Sequence, residues 1–177
     1  MDRRNVSETA EGQGWKRIVL ITCPAIVLLG SASGWLSNSG YGNAWFAALD
    51  KPVFMPPGWL FGLVWPLIYL LMGMAVAMVL AQPPSDRRRS ALLLFFTQLA
   101  LNFAWSPVFF AAHDIGLAKL MIFLMALIAA AAAGQFFRLR RVAGLLLIPY
   151  LAWLVFAAAL NTAIEKLNPG AATPLLG

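Results

Sequence analysis

Aromatic side chains recur at helical spacing in one apolar segment, and their chemistry suits the binding of a flat ligand. The segment WLFGLVWPLIYLLMG carries one such series at spacings of four, four and three residues: Phe61, Trp65, Tyr69 and Met72. Side chains at these spacings share one face of a helix. Indole and phenol rings combine a flat apolar face with a polar edge, so this face is predicted to line a pocket.

A second series combines amides with aromatic rings. It lies in TQLALNFAWSPVFF at spacings of four, three and four residues: Gln98, Asn102, Trp105 and Phe109. An amide in an apolar helix is costly unless it is hydrogen-bonded, so Asn102 is predicted to point into a helical bundle. Hydrogen bonding between helices and contact with a ligand both stay open for this side chain. Pro107 is predicted to break or bend the helix near its outer end.

A third series lies in PYLAWLVFAAALN, where the small side chain of Ala157 leaves space between larger rings. Its members share one helical face: Tyr150, Trp153, Ala157 and Asn161. Each series therefore offers one tryptophan to a common pocket: Trp65, Trp105 and Trp153. The tryptophans near the ends of apolar segments are predicted instead to be ordinary residues of the membrane–water interface: Trp15, Trp35 and Trp59.

The three series lie in apolar runs that are long enough to cross a membrane. With 61% hydrophobic and 11% charged residues in 177, the chain is more apolar than a soluble domain, in which roughly half of the residues are apolar and about a quarter charged. Five runs reach the roughly 20 residues that a spanning helix needs: Ile18 to Leu36, Trp59 to Ala81, Ala91 to Ala112, Leu117 to Phe137, and Val142 to Ile164. These runs do not alternate in polarity as the strands of a membrane barrel do. We predict an all-α integral membrane protein with a five-helix bundle.

A single membrane domain accounts for most of the chain. Residues 17–166 are predicted to form the bundle, with a polar N-terminal tail at residues 1–16 and a C-terminal tail at residues 167–177. Residues 1–14 are polar, contain two glycines and are predicted to be disordered. The domain organisation is therefore one bundle between two tails.

The connection between helices one and two, residues 37–58, is long for a compact bundle, and loops of this length are usually functional. Trp45 and Phe46 are predicted to lie on a short amphipathic turn in this loop. Prolines stiffen its return into helix two: Pro52, Pro56 and Pro57. The loop is predicted to be a lid over the pocket.

The basic residues are distributed unevenly between the two ends of the predicted bundle. Ten of the 13 Lys and Arg residues fall at the end that carries the N-terminus, and three fall at the other end. Cytoplasmic segments carry an excess of Lys and Arg, so the N-terminus is predicted to be cytoplasmic and the C-terminus outside. Which membrane holds the protein is left open. The RRR and RLRR clusters are predicted to meet anionic lipid headgroups and not nucleic acid.

Residues needed for several other chemistries are missing from the sequence. His113 is the sole histidine, in a short link predicted to be solvated, so a bis-histidine haem site is excluded and zinc or di-iron sites lack ligands. No metal site and no covalently bound cofactor are predicted. Cys23, the sole cysteine, is predicted to be a packed core thiol. Asp50, Asp114 and Glu165 all lie near segment ends, whereas a proton- or ion-coupled pump normally carries a buried acid.

Four segments together resemble the TspO/MBR family of tryptophan-rich sensory and translocator proteins. They are WFAALDKPVFMPP, WPLIYLLMG, LALNFAWSPVFF and PYLAWLVFAAALN, in the order and at the spacing that the family shows, between about Pro24 and Asn161. The resemblance implies five helices, a homodimer, and a pocket under the loop after helix one. It also implies that this pocket binds porphyrins and synthetic benzodiazepine-type ligands.

The resemblance implies a set of ligand-binding residues on three helices and the loop. The helical positions are Trp65, Tyr69, Asn102, Trp105, Trp153 and Ala157, and the loop positions are Trp45, Lys51 and Pro52. The chain departs from the family at Phe54, where a tryptophan is usual. The sterol motif of animal members is absent from LNTAIEKL, so sterol binding through that motif is not expected.

Three functions follow as hypotheses. The first is a sensor or receptor that stacks a tetrapyrrole, protoporphyrin IX or a haem-type molecule, on its indole rings, with ligand carboxylates at Lys51 and Asn102 orienting the macrocycle. It requires no catalytic residue. The second is light-dependent porphyrin degradation, an enzymatic role in which Trp65 and Trp153 are redox-active. The third is translocation of porphyrin or lipid ligands, which the lack of internal repeats and buried charges makes less attractive.

Overall fold

A computed structural model of the chain describes residues 3–171, with side chains described from Gly14 onward. Its elements, in chain order, are α1 (Arg3–Leu36), α2 (Ala44–Ala48), α3 (Gly58–Leu80), α4 (Asp86–Ser106), a π-helical turn (Pro107–Ala111), α5 (Ile115–Leu139), α6 (Arg141–Leu145) and α7 (Ile148–Leu167). Within this bundle α1 packs against α3, α4 against α5, and α5 against α7.

Five of the described segments are long and apolar enough to cross a membrane: Gly14–Leu36, Gly58–Leu80, Asp86–Ala111, Ile115–Leu139 and Arg141–Leu167. They coincide with the five predicted runs, which confirms the predicted all-α membrane bundle. The loop between α1 and α3 and the helix α2 within it lie at one end of the bundle, here called the loop end. The end that carries α6 is called the closed end.

The N-terminal segment differs from its prediction. Helix α1 begins at Arg3 and continues without a break to Leu36, so predicted disorder at residues 1–14 is wrong from Arg3 onward. Residues 1–2 and 172–177, parts of the two predicted tails, lie outside the described residues. The polar lead thus extends the first helix beyond its membrane-spanning part.

Side-chain caps decide where two of the spans begin. Helix α4 starts at Asp86, five residues before the predicted run, because the Ser85 hydroxyl accepts a hydrogen bond from the Arg88 backbone N–H at 3.2 Å. Helix α5 starts at Ile115 because the Asp114 carboxylate accepts one from the Leu117 N–H at 2.8 Å. The hydropathy pattern locates the apolar part of a span, while the caps set its first turn.

Prolines interrupt two of the spans. Pro107 begins the π-helical turn, whose last bond runs from the Ala112 N–H to the Pro107 carbonyl at 2.9 Å, so the predicted break in helix three is confirmed. The fifth span is not the continuous helix that was predicted over Val142 to Ile164. It breaks at residues 146–147, between α6 and α7, because Pro149 in the first turn of α7 has no N–H to continue the ladder.

Small residues let α1 and α3 approach closely. A Cβ on Gly73 would lie 2.7 Å from the Cα of Cys23, and one on Gly30 would lie 2.2 Å from the Tyr69 ring. The Thr22 hydroxyl donates to the Gly73 carbonyl at 2.8 Å across the same interface. Close packing inside one chain therefore explains Gly30, and the predicted burial of the Cys23 thiol is confirmed at 7% exposure.

The closed end of the bundle is a filled core. Its central side chains have no exposed surface: Met72, Phe95, Ala132 and Phe136. The Phe95 and Phe136 rings stack with centroids 5.4 Å apart. Three alanines of α5, Ala129, Ala132 and Ala133, belong to this core, which explains their small size as packing within the chain.

Candidate ligand-binding cavity

The loop between α1 and α3 is an ordered cover at the loop end. Asn43 caps α2 by accepting from the Phe46 N–H at 3.0 Å, and its amide N–H donates to the Phe110 carbonyl at 3.1 Å. The Tyr41 hydroxyl donates to the Pro56 carbonyl at 2.9 Å. Helix α2 confirms the predicted short turn at Trp45 and Phe46. The Asn43 cap is readable from the sequence, since Asn commonly precedes a first helical residue, but the prediction did not include it.

Lys51 holds the loop together from within. Its ammonium group donates to the carbonyls of Phe46, Ala47 and Leu49 at 2.7, 3.1 and 2.9 Å. An ammonium group has three N–H donors, and all of them are used here. Lys51 therefore acts as the C-terminal cap of α2, and it does not border the cavity described next.

A cavity of about 610 Å³ lies beneath the loop, between α1, α3, α4 and α7. This volume falls in the range of about 300–1,000 Å³ that is usual for sites of drug-sized ligands. Its wall includes aromatic rings from α3, α4, the π-helical turn and α7, and small residues from α1, α3 and α7: Phe61, Trp65, Tyr69, Trp105, Phe109, Trp153, Gly30, Gly62 and Ala157. The three predicted series thus meet in one space.

Of the nine predicted binding residues, the six on helices border this cavity together: Trp65, Tyr69, Asn102, Trp105, Trp153 and Ala157. The three loop residues do not border it: Trp45, Lys51 and Pro52. They belong to the loop that covers the cavity, but the inner surface of that loop is formed by other residues, such as Tyr41, Phe46 and Met55. Binding of a ligand by any of the nine stays a prediction.

One member of each predicted series lies below the cavity. Met72, Gln98 and Tyr150 are 0%, 1% and 1% exposed and do not border it. Each is the member of its series closest to the closed end, because α3 runs away from the loop end while α4 and α7 run towards it. Helical spacing identifies a shared face, whereas the depth at which a cavity stops depends on packing between helices.

The floor of the cavity is a hydrogen-bonded group from three helices. The Tyr69 hydroxyl donates to the Asn102 carbonyl oxygen at 2.9 Å, and the Asn102 amide donates to the Tyr150 hydroxyl at 3.3 Å. Asn102 therefore makes the bonds between helices that were one of its two predicted roles. It also borders the cavity, so its remaining hydrogen-bonding capacity faces any occupant.

The cavity wall is built from rings that meet edge to face. Trp65 and Trp153 lie with centroids 6.2 Å apart at an interplanar angle of 80°, and Phe61 meets Trp153 at 5.6 Å and 78°. Trp105 is fixed by its indole N–H, which donates to the Ala118 carbonyl at 3.1 Å, and by stacking on Phe109. All of these rings border the cavity, so an aromatic occupant would contact them.

Trp45 joins the loop to the turn between α4 and α5. Its ring stacks on His113 with centroids 4.3 Å apart, and its indole N–H donates to the Ala171 carbonyl at 3.4 Å. The prediction of a solvated His113 is wrong, because the imidazole is half-buried under the indole. Phe54, the departure from the family pattern, is 52% exposed and meets Phe156 outside the cavity.

Asn168 latches the loop to the end of α7. Its carbonyl oxygen accepts from the Asp50 N–H at 2.8 Å, and its amide donates to the Asp50 carbonyl at 2.9 Å. The amide also donates to the Ile164 carbonyl in the last turn of α7 at 2.8 Å. The sequence analysis missed this residue, because nothing in the sequence links positions that are 118 residues apart.

Charged groups lie outside the cavity. Lys119 of α5 and Glu165 of α7 form an ion pair, with about a third of each side chain exposed. Among the side chains of residues 14–171, no three of His, Cys, Asp or Glu are grouped closely enough to hold a metal ion. The described part of the cavity wall contains no charged side chain, no histidine and no cysteine.

Five apolar spans with an aromatic cavity beneath an ordered loop define a multi-pass integral membrane protein with an internal cavity. Comparison with known proteins agrees with this class. The model of the TspO/MBR family matches residues 21–167, and the chain belongs to that family.

Curated relatives from animals, archaea and bacteria are similar over most of their length. The chain is 38% identical to the translocator protein of Sus scrofa over 154 residues, which covers 83% of this chain and 91% of the relative. It is 39% identical to the tryptophan-rich protein TspO of Archaeoglobus fulgidus, covering 81% and 92% of the two chains. The tryptophan-rich sensory protein of Cereibacter sphaeroides is 40% identical, covering 71% and 78%.

Proposed function

We propose that the protein is a membrane-embedded receptor that binds tetrapyrroles of the protoporphyrin IX or haem type, and benzodiazepine-type hydrophobic ligands, in this cavity. Through this binding, the protein acts as a sensor that regulates either the handling of tetrapyrroles or a stress response. The observation that carries the proposal is the meeting of Trp65, Trp105 and Trp153 around one space of about 610 Å³. Flat aromatic molecules gain both apolar burial and ring stacking there.

The absence of charge from the described wall constrains how a porphyrin sits. A carboxylate in an apolar interior without a counter-charge is strongly disfavoured. The ammonium of Lys51 is already bonded to three carbonyls of its own loop. The macrocycle therefore occupies the aromatic space, and its propionate groups lie towards the aqueous edge beneath the loop. The described wall offers no histidine or cysteine, and ring stacking is the interaction proposed to hold the macrocycle.

The test is a titration of the purified protein with protoporphyrin IX in darkness, followed by quenching of tryptophan fluorescence. The variant Ala157→Leu places a larger side chain in the cavity, and overpacking costs about 1–3 kcal/mol, so affinity should fall by about tenfold or more. Ala159→Leu is the matched control, because Ala159 is exposed on the same helix two positions away. Equal affinity of the Ala157→Leu variant and the unmodified protein would contradict the assignment of the site.

Light-dependent degradation of the bound porphyrin is the second candidate. The observation that favours it is the contact of Trp65 and Trp153, whose rings lie 6.2 Å apart at the cavity wall and could exchange electrons with an excited macrocycle. Dissolved dioxygen would be the oxidant. Illumination of the complex should then yield a new absorbing product, which disappears when either tryptophan is replaced by phenylalanine. An unchanged porphyrin spectrum after illumination would exclude the degrading activity, and only the receptor function would stand.

Translocation is suggested by the names of relatives, such as the translocator protein of Sus scrofa. It is tested by porphyrin flux into sealed vesicles that contain the protein.

We further propose a homodimer, which cross-linking in the membrane tests. We also propose a cytoplasmic N-terminus and an outside C-terminus, which reporter fusions at both ends test.

A further inference from the structure

The loop that covers the cavity carries an apolar turn at residues 52–55. The Met55 backbone N–H donates to the Pro52 carbonyl at 2.9 Å and closes the turn. The two residues between them are hydrophobic and face outward: Val53 is fully exposed, and Phe54 is half exposed. Residues at tight turns are usually Gly, Pro, Asn, Asp or Ser. The turn therefore presents an apolar surface that the rest of the described chain leaves open.

The position of Phe156 gives the depth of this turn along the bundle. The rings of Phe54 and Phe156 meet edge to face with centroids 6.4 Å apart. Phe156 precedes Lys166 by ten positions of α7, and ten positions span about 15 Å at the rise of an α-helix. The Phe54 ring therefore lies roughly 9 Å or more inside the level of Lys166, towards the middle of the membrane.

Charged side chains mark the edge of the hydrocarbon at the loop end. Lys166 is exposed, and Glu165 beside it pairs with Lys119 of α5. Charged groups near the ends of spanning helices reach the polar interface. Residues 142–164 of the fifth span include no charged residue. The part of α7 beside Phe54 therefore lies within the hydrocarbon, and lipid acyl chains, not water, surround the exposed surface of the turn.

The turn lies outside a seam between α3 and α7. Helix α3 packs mainly against α1, and α7 packs mainly against α5, so side chains close the seam at the loop end. Phe61 meets Trp153 at 5.6 Å, and Trp153 meets Phe156 at 5.4 Å. Phe61 and Trp153 border the cavity, whereas Phe54 and Phe156 do not. The Phe54 ring is therefore an outer layer over this wall, with protein on one side and the bilayer on the other.

We propose that the turn at residues 52–55 inserts among the acyl chains of the bilayer and anchors the covering loop to it through Val53 and Phe54. The loop is then held at two levels. Asn168 bonds to the backbone of Asp50 at the polar surface, and the apolar turn holds the loop from below. The partner is lipid hydrocarbon, so the inference holds whether or not the cavity receives a ligand.

A spin label at position 53 tests where the turn lies. It is attached to Val53→Cys in a Cys23→Ala background, and the protein is placed in phosphatidylcholine vesicles. Collision rates are measured with dioxygen, which concentrates in hydrocarbon, and with a water-soluble nickel chelate. Matched labels are Leu63→Cys on the exposed surface of α3 and Asp50→Cys in the same loop. We expect the ratio of oxygen to nickel collisions at position 53 to match that at position 63 and to exceed that at position 50.

The variant Val53→Asp tests whether the turn holds the loop closed. Because Val53 is fully exposed, the substitution removes no packing inside the chain. A charged side chain in hydrocarbon is costly, so the turn should leave the bilayer. Cleavage at residues 37–50, with protease added on the loop side of the vesicles, should become at least about tenfold faster. Val53→Leu is the matched control and should keep the rate of the unmodified protein.

Three outcomes would overturn the inference. A label at position 53 that responds like the label at position 50 would put the turn in water. Low collision rates with both agents would bury the turn against a second copy of the chain. Unchanged cleavage of Val53→Asp would show that the turn does not hold the loop. If the Cys23→Ala background fails to fold, the cleavage comparison decides, because it keeps Cys23.

Discussion

The closed end and the loop end of the bundle are built from the same kinds of residue, yet one is solid and the other encloses a cavity. At the closed end, Phe95 and Phe136 stack nearly parallel at 22° and alanines fill the space around them. At the loop end, Phe61 and Trp65 each meet Trp153 at close to a right angle. Small residues border the cavity at the loop end, and a Cβ added to Gly62 would meet no atom within 4 Å, so missing side-chain volume separates the site from the core.

The largest effect on stability is expected from substitution of glycine in α3. Gly73 lies towards the closed end and Gly62 lies at the loop end. A Cβ on Gly73 would lie 2.7 Å from the Cys23 backbone, while a Cβ on Gly62 meets nothing within 4 Å. Gly73→Val should therefore lower the free energy of unfolding by about 1–3 kcal/mol or more, because helix α1 must move. Gly62→Val should leave the melting temperature nearly unchanged and reduce ligand binding. Similar melting of the two variants would break the distinction between a filled end and an open one.

Asn102 lies at the boundary between the two ends. Asn102→Leu leaves the hydroxyls of Tyr69 and Tyr150 without these partners, and hydrogen bonds between membrane helices contribute about 1–2 kcal/mol at most. We expect a lower melting temperature of the ligand-free protein. Asn161→Leu should melt no lower than the unmodified protein, because it removes a buried amide that has no partner among the described residues. Thermal denaturation of both variants in one detergent makes the measurement. Equal stability of the two variants would mean that the boundary does not depend on these hydrogen bonds.

The tryptophans of the loop end should matter for binding more than for folding. Loss of ring stacking in Trp65→Ala or Trp153→Ala corresponds to about 1–1.5 kcal/mol, or roughly tenfold in affinity. Trp35→Ala is the control, since that indole is 81% exposed. Titration with protoporphyrin IX gives the affinities. Unchanged affinity in both cavity variants would remove the stacking model of the site.

The smallest effect is expected at the latch of the loop. Asn168→Ala removes the paired bonds to Asp50, which lie at the surface and contribute about 1 kcal/mol in total. Opening of the loop, followed by limited proteolysis at residues 37–50, should become about fivefold faster. Saturating ligand should slow the same cleavage, because a ligand that prefers the closed loop shifts the population towards it. Cleavage that responds to neither change would identify the loop as a static cover.

Much of the fold was available from the sequence. Long apolar runs without alternation specify spanning helices, because backbone polar groups in hydrocarbon must bond within their own segment. Pro107 predicted the break in the third span, and nine of the twelve side chains identified by spacings of three and four residues border the cavity. These features are local: each depends on one stretch of chain and on the fixed geometry of a helix.

The tertiary structure alone decided how deep the cavity reaches and which polar groups are paired. Met72 lies on the predicted face but below the floor, and Lys51, a predicted ligand-binding residue, makes three bonds inside its loop and does not border the cavity. The sequence does not distinguish Asn102, which is bonded to two tyrosines, from Asn161, which lacks a partner among the described residues. Periodicity determines the direction in which a side chain points, whereas depth and pairing depend on neighbours supplied by distant parts of the chain.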